Sequence, residues 1–135
     1  MSLFTDLKIS RNLEKALEDL GFENTTPIQE KAFPIVMSGS DVVGIAQTGT
    51  GKTFAYLLPI LNTLSFSKEI HPKVVILVPT RELVVQVVEE AKKLAKYSGV
   101  RVLGVFGGKS MLRQKDALAL GTDILVATPA RLYDL

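Results

Sequence analysis

The sequence predicts an α/β fold, a parallel sheet with helices on both faces, and three observations carry the prediction. First, four short runs are apolar and rich in β-branched residues: Asp41-Val42-Val43-Gly44-Ile45, Lys73 to Val78, Arg101 to Phe106 and Asp123 to Ala127. Second, stretches with helical spacing separate them, and strands that are apolar throughout suit a sheet covered on both faces. Third, Ala46-Gln47-Thr48-Gly49-Thr50-Gly51-Lys52-Thr53 stands between the first run and the helix after it. A strand, a glycine-rich turn and a helix start, in that order, form the context of a phosphate-binding loop.

Taken in order, the chain opens on a short arm with Phe4, which by pattern is a core anchor. Leu13, Ala16, Leu17 and Leu20 then recur at helical spacing from Ser10, a candidate N-cap, to the stop at Gly21. Gly21 to Thr26 turns into a second helix, with Thr26 as cap and Pro27 at the first helical position, running to about Met37 before Ser38-Gly39-Ser40. On this pattern alone Gln29 is an ordinary surface polar residue. The helix from Lys52 contains Pro59, which should kink it or end its first part. His71 reads as a solvated loop residue.

The second run ends at Pro79-Thr80-Arg81-Glu82, with Thr80 capping a helix whose apolar face is Leu83, Val84, Val87, Val88, Ala91, Leu94 and Ala95. Lys92, Lys93 and Lys96 near its end suit the negative pole of the helix dipole and read as a solvated face. The third run closes at Gly107-Gly108, ahead of a helix from about Ser110 to Leu120. The fourth ends at Thr128-Pro129-Ala130-Arg131, with a first helical turn after it.

In the phosphate loop, the glycines let successive N–H groups point inward at an anion, and the helix adds its own unpaired N–H groups and dipole. Lys52 supplies a cation for the β- and γ-phosphates, and Thr53 a hydroxyl for Mg²⁺. Ala46 stands where the general pattern has its first glycine, which is acceptable where positive φ is not needed.

Composition sets bounds. The chain has 135 residues, 47% hydrophobic and 22% charged, enough for a domain with a core. Its 16 basic and 14 acidic residues give +2, too little to argue nucleic-acid binding from charge balance. Cysteine is absent, which removes disulfides and cysteine–zinc sites. No apolar run reaches the roughly 18–20 residues of a membrane helix, and no signal-peptide pattern is present, so a soluble cytoplasmic protein is the expectation.

Ligands of parallel sheets gather at the carboxyl ends of the strands. Thr48 to Thr53, Pro79 to Glu82, Phe106 to Gly108 and Thr128 to Arg131 all fall at such ends. Together they describe a rim with a nucleotide at one end.

With their spacing, these clusters resemble the first half of a DEAD-box ATP-dependent RNA helicase, from Phe4 to Leu135. Phe22 to Gln29 is similar to the family's Q motif, and Phe4 holds the place of its upstream adenine-stacking aromatic. Ala46 to Thr53 is similar to motif I, Pro79 to Leu83 to motif Ia, Gly107-Gly108 to the GG motif and Thr128 to Arg131 to motif Ib. Thr25 replaces a common proline, and Ala130 the usual glycine of motif Ib.

The resemblance implies a RecA-like phosphate-loop NTPase domain over residues 1–135, truncated before its C-terminal end, with ATP and Mg²⁺ as cofactors. It implies nucleotide contacts from Phe4, Phe22, Thr26, Gln29, Thr48, Gly49, Thr50, Gly51, Lys52 and Thr53. Lys52 and Thr53 are the catalytic candidates and Thr53 the metal contact. Gln29 has a paired donor and acceptor for the N6 and N7 edge of adenine, and Thr26 ties the Q motif to the phosphate loop. Thr80, Arg81, Gly107, Gly108, Thr128 and Arg131 are implied to hold the sugar-phosphate backbone of single-stranded or duplex RNA without sequence preference.

The Asp-Glu-Ala-Asp and Ser-Ala-Thr elements and the second RecA-like domain are not among these residues, so no hydrolysis by this stretch alone is expected. Their strands belong beside Asp41 to Ala46. Marginal stability, self-association by strand pairing or a locally rearranged sheet are therefore expected. Another phosphate-loop NTPase or kinase explains Ala46 to Thr53 but not Gln29, Arg81 or Thr128 to Arg131. A non-enzymatic RNA-binding module built from the same half-domain is the other alternative.

Overall fold

The computed structural model describes residues 3–4, 7–46, 52–65 and 68–135. The expected loop residues Thr48, Gly49, Thr50 and Gly51 lie outside that set. The chain divides into two compact units, Met1–Leu64 and Ser65–Leu135.

The first unit is helical. Its helices are α1 (Arg11–Asp19), α2 (Pro27–Met37) and α3 (Lys52–Thr63). Ser10 Oγ accepts from the Leu13 N–H at 3.3 Å and satisfies one of the first-turn donors of α1. Leu13, Ala16 and Leu17 form its buried stripe, and Gly21, at φ +78°, turns the chain so that the Phe22 N–H returns to the Leu17 carbonyl at 3.0 Å. Phe4 is buried as an anchor, and its N–H bonds the Glu23 carbonyl at 2.9 Å. Asn62 on α3 accepts from the Ser10 N–H at 2.7 Å and donates to the Lys8 carbonyl at 3.2 Å, which fixes the arm before α1.

Two expectations are corrected here. Of the two outcomes expected of Pro59, a kink or an end, the end does not occur: α3 continues to Thr63. A proline removes one N–H, and the burial of Leu57, Leu58, Pro59 and Leu61 outweighs that loss. The first expected strand is not formed: residues 41–46 have no strand pairing, and Val43 and Ile45 are 88% and 91% exposed. A strand exists only with a hydrogen-bonded neighbour, and no such neighbour stands beside this run among the described residues.

The second unit carries the sheet, with strands β1 (Val74–Leu77), β2 (Val102–Val105) and β3 (Ile124–Ala127) in the order β1-β3-β2, all parallel. Helices α4 (Arg81–Leu94), α5 (Met111–Ala119) and α6 (Pro129–Asp134) follow the three strands in turn. Leu77 and Val105 both pair with Ala127, so the three strands end level at their carboxyl ends. The sheet has three strands among the described residues, where four runs were expected. β3 is buried along its length, as a central strand should be. β1 is not covered on both faces: Ile76 is buried, while Val75 and Leu77 are 48% and 55% exposed.

α4 buries Val84, Val87, Ala91 and Leu94, and Ala95 is buried just after it, but Leu83 faces outward despite its place in the apolar pattern. The helix lies close on β2: a Cβ at Gly104 would stand 2.8 Å from both Val84 Cγ1 and Val88 Cγ2. At the amino ends of the strands, buried Asp123 accepts from the Arg101 backbone N–H (2.8 Å), Nε (3.1 Å) and Nη2 (3.0 Å). Arg101 Nη2 also donates to the Glu69 carbonyl. Among the described residues no helix is long and apolar enough to cross a membrane.

Candidate functional site

In the first unit the Q-motif residues are organised by the start of α2. Pro27 sets the first helical position, and Thr26 is the extended residue before it. The Gln29 side chain folds back, so that its Oε1 accepts from the Thr26 N–H at 2.9 Å. This is one half of a capping box. Thr26 Oγ1 stands in capping-box arrangement over the Gln29 N–H but falls outside ordinary hydrogen-bond geometry. It is buried without a partner among the described residues. Gln29 is therefore not the surface residue its pattern suggests, but only 3% exposed. Thr25, in place of the family's proline, is also buried and donates to Glu30 Oε1 at 2.7 Å.

Phe22 is 46% exposed and meets Phe54 of α3 edge to face, with centroids 5.1 Å apart. Phe4 and Phe22 line one cavity of about 370 Å³, with Leu17 on its wall and Glu14, Glu18 and Glu23 also on its lining. Lys52 opens α3 and lines a different cavity of about 300 Å³, with Val42, Gly44 and Tyr56. Thr53 is half-buried beside it. The side chains present suit phosphate and Mg²⁺: a lysine cation at the first residue of α3 and a neighbouring threonine hydroxyl.

In the second unit the level strand ends place three clusters on one rim. Thr80 caps α4, its Oγ1 accepting from the Leu83 N–H at 3.3 Å, and Arg81 is the first residue of the helix. Phe106-Gly107-Gly108 follows β2, with Gly108 at φ +83°, a backbone region that favours glycine. A Cβ there would stand 3.2 Å from Arg81 Nη1, so the Arg81 guanidinium lies against the turn. Thr128 continues β3, its N–H reaching the Val105 carbonyl at 3.4 Å, and is followed by Pro129 as the first residue of α6.

Arg131 returns to the same turn, Nη1 donating to the Lys109 carbonyl at 3.3 Å and to Gln114 Oε1 at 3.2 Å. The rim is cationic but not uniformly so. Glu82 Oε1 lies 3.4 Å from Arg81 Nε, with both side chains well exposed. Its carboxyl is held below the usual range by its own backbone N–H and by Arg81. Phe106 and Lys109 join Arg81 around a cavity of about 450 Å³. Sequence reasoning missed Lys109 and Gln114. A polar residue in the first turns of the helix after a glycine pair was the available signal for Gln114.

The sequence pattern of the DEAD/DEAH box helicase family matches residues 26–135. The "DEAD-box ATP-dependent RNA helicase CshA" of Bacillus cereus is 44% identical over 99% of this chain and 25% of its own length. The "DEAD-box ATP-dependent RNA helicase 30" of Arabidopsis thaliana is 43% identical over all of this chain and 24% of its own. The chain thus spans about a quarter of the length of these curated relatives. Among solved structures, a DEAD box protein from Methanococcus jannaschii matches 99% of this chain and 36% of that one, at 32% identity and a TM-score of 0.91. A hypothetical ATP-dependent RNA helicase from Sulfolobus tokodaii matches 94% of this chain and 36% of that one, at 38% identity and a TM-score of 0.82. With its α/β fold and parallel sheet, and with the family pattern running from Thr26 to Leu135, this chain belongs to the DEAD/DEAH box helicase family.

Proposed function

We propose that this chain is the adenine-nucleotide- and RNA-binding first part of an ATP-dependent RNA helicase. The observation that carries the reading is the rim of the second unit. Three level parallel strand ends bring Arg81, the Gly107-Gly108 turn and Arg131 together. Arginines and backbone amides hold phosphates and carry no sequence information, which suits single-stranded or duplex RNA of any sequence. Thr80 and Thr128 frame the same contacts.

On the nucleotide side, Gln29 would select adenine through its amide, with Phe4 and Phe22 bordering the base. The phosphate loop with Lys52 would hold the phosphates, and the Thr53 hydroxyl would hold Mg²⁺. When bound, ATP and Mg²⁺ supply the transferable phosphoryl group and the positive charge that offsets its own. Hydrolysis and duplex unwinding, in this reading, need the Asp-Glu-Ala-Asp carboxylates and a second RecA-like domain. Residues 1–135 by themselves then bind without turnover.

Two arms of one binding experiment test this. Calorimetry should show ADP bound more tightly than GDP, with the preference lost in Gln29→Ala and both nucleotides weakened in Lys52→Ala. Equal affinity for ADP and GDP counts against Gln29 as the selector. Anisotropy of a labelled oligouridine should show weak, salt-sensitive binding with a shallow slope of roughly −0.7 per phosphate held. An Arg81→Ala/Arg131→Ala double variant that binds as the wild type does would overturn the RNA reading.

Self-association is part of the same proposal. The exposed β-branched run at residues 41–46 supports pairing with a second copy of the chain. Light scattering should then report mass growing with concentration. A monomer throughout, or growth unchanged in a Val43→Lys/Ile45→Lys variant, would remove this part.

A further inference from the structure

We infer that Gln114 is a positioning residue for the RNA-holding rim, locking Arg131 and the Gly107-Gly108 turn into one arrangement. The inference rests on the RNA reading above and deepens it. Gln114 sits on α5, half-buried, and its amide is used at both ends. Nε2 donates to the Phe106 carbonyl at 3.0 Å, at the residue where β2 has ended and the glycine turn begins. Oε1 accepts from Arg131 Nη1 at 3.2 Å, in the first turns of α6. One side chain therefore bridges the end of β2 and the helix that follows β3.

The chemistry of the guanidinium gives this bridge a consequence. Nη1 carries two N–H donors, and the Gln114 Oε1 and the Lys109 carbonyl receive both. Among the described residues, Nε and Nη2 of Arg131 make no hydrogen bond. These two groups form the side-on fork that matches a phosphate bidentately. Gln114 thus anchors the far edge of the guanidinium and leaves the phosphate-matching edge presented. It also holds the Phe106 carbonyl, so the Gly107-Gly108 turn, whose amides the RNA reading assigns to the same phosphates, is fixed relative to Arg131. The Arg81 guanidinium also lies against Gly108. Without the amide, Arg131 keeps its charge but loses half of its anchor.

A double-mutant cycle on the 135-residue chain tests this, read as anisotropy of a labelled oligouridine across a salt series. Gln114→Ala should weaken binding about fivefold, the net scale of one ordinary hydrogen bond, and flatten the salt slope toward that of Arg131→Ala. In an Arg131→Ala background the same Gln114→Ala change should cost clearly less, because the part that acts through Arg131 is already lost and only the hold on the Phe106 carbonyl remains. A role confined to the stability of α5 would cost the same in both backgrounds, and that result overturns the inference. So does wild-type affinity in Gln114→Ala. Gln114→Met keeps the length and helix propensity of the side chain. It should reproduce the alanine result in binding, and wild-type affinity in it is equally fatal. If the Arg81→Ala/Arg131→Ala variant binds as the wild type does, the RNA reading itself fails. If that variant loses binding while Gln114→Ala does not, only the positioning role fails.

Discussion

Replacing Asp123 by alanine is expected to lower the stability of the Ser65–Leu135 unit by about 3 kcal/mol, the low end for breaking a buried ion pair. The low end applies because the Asp123 side chain is 1% exposed but that of Arg101 is 29% exposed and keeps some water. The loss is large because one carboxylate serves three donors, among them the Arg101 backbone N–H at the start of β2. Alanine would leave that N–H and the guanidinium without their acceptor. Urea unfolding followed by circular dichroism measures it, and a midpoint within error of the wild type would show that water replaces the pair at no cost.

The same group gives a pH dependence. Burial works to raise the Asp123 pKa, but hydrogen bonds from the Arg101 side chain and backbone, with the Arg101 charge, outweigh it and hold the carboxyl below its usual value. A lowered folded-state pKa means the stabilisation is fully present above the unfolded value of about 3.9 and is lost as pH falls through the folded value. The difference between wild type and Asp123→Ala should therefore hold above about pH 5 and shrink as the pH falls below about 4. A difference that stays constant down to pH 2 would contradict the assignment.

Gly104→Ala should destabilise the same unit by about 1–3 kcal/mol, the range for forcing extra atoms into a packed core. A methyl there would stand 2.8 Å from Val84 Cγ1 and Val88 Cγ2. Both neighbours are β-branched and stiff at χ1, so relief requires α4 to move off the sheet. The chain-entropy gain from replacing a glycine, roughly 0.4–1 kcal/mol, opposes this and is the smaller effect. Because Arg81 opens α4, the displacement should also weaken oligouridine binding. Gly107→Ala is the control: nothing lies within 4 Å of its Cβ position and its φ is not positive, so its melting temperature should equal or slightly exceed that of the wild type. Equal melting temperatures for Gly104→Ala and wild type would show that α4 adjusts freely.

Much of this was legible from residue order. Ser10, Thr26 and Thr80 mark helix starts, and Gly21 and Gly39 mark stops, because caps and positive-φ turns are decided within a few residues. Pro27 opens α2 as its place after Thr26 predicts, and the helix stops at Met37, about where Ser38-Gly39-Ser40 should end it. The three formed strands lie inside the apolar runs that predicted them. The placement of three of the four expected clusters was legible too, since parallel strands that end level put the residues following them on one side; the fourth, Thr48 to Thr53, falls largely outside the described residues.

What residue order left open depends on partners distant along the chain. Asp41 to Ile45 reads as a strand as clearly as the other runs do, yet strand propensity forms no ladder without a neighbour, and this run has none among the described residues. The burial of Gln29 came from its side chain turning back on Thr26, a choice between solvent and the backbone that helical periodicity does not encode. The Arg101–Asp123 lock joins the starts of two strands that only parallel pairing brings together. Gln114 acquired its place in the same way, between the end of β2 and the first turns of α6. The sequence by itself determined the helices, their caps and which residues follow the three formed strands, because those are local. Tertiary structure decided which strands found partners and which polar side chains hold the rim in place, because a hydrogen bond across the sheet needs both of its ends.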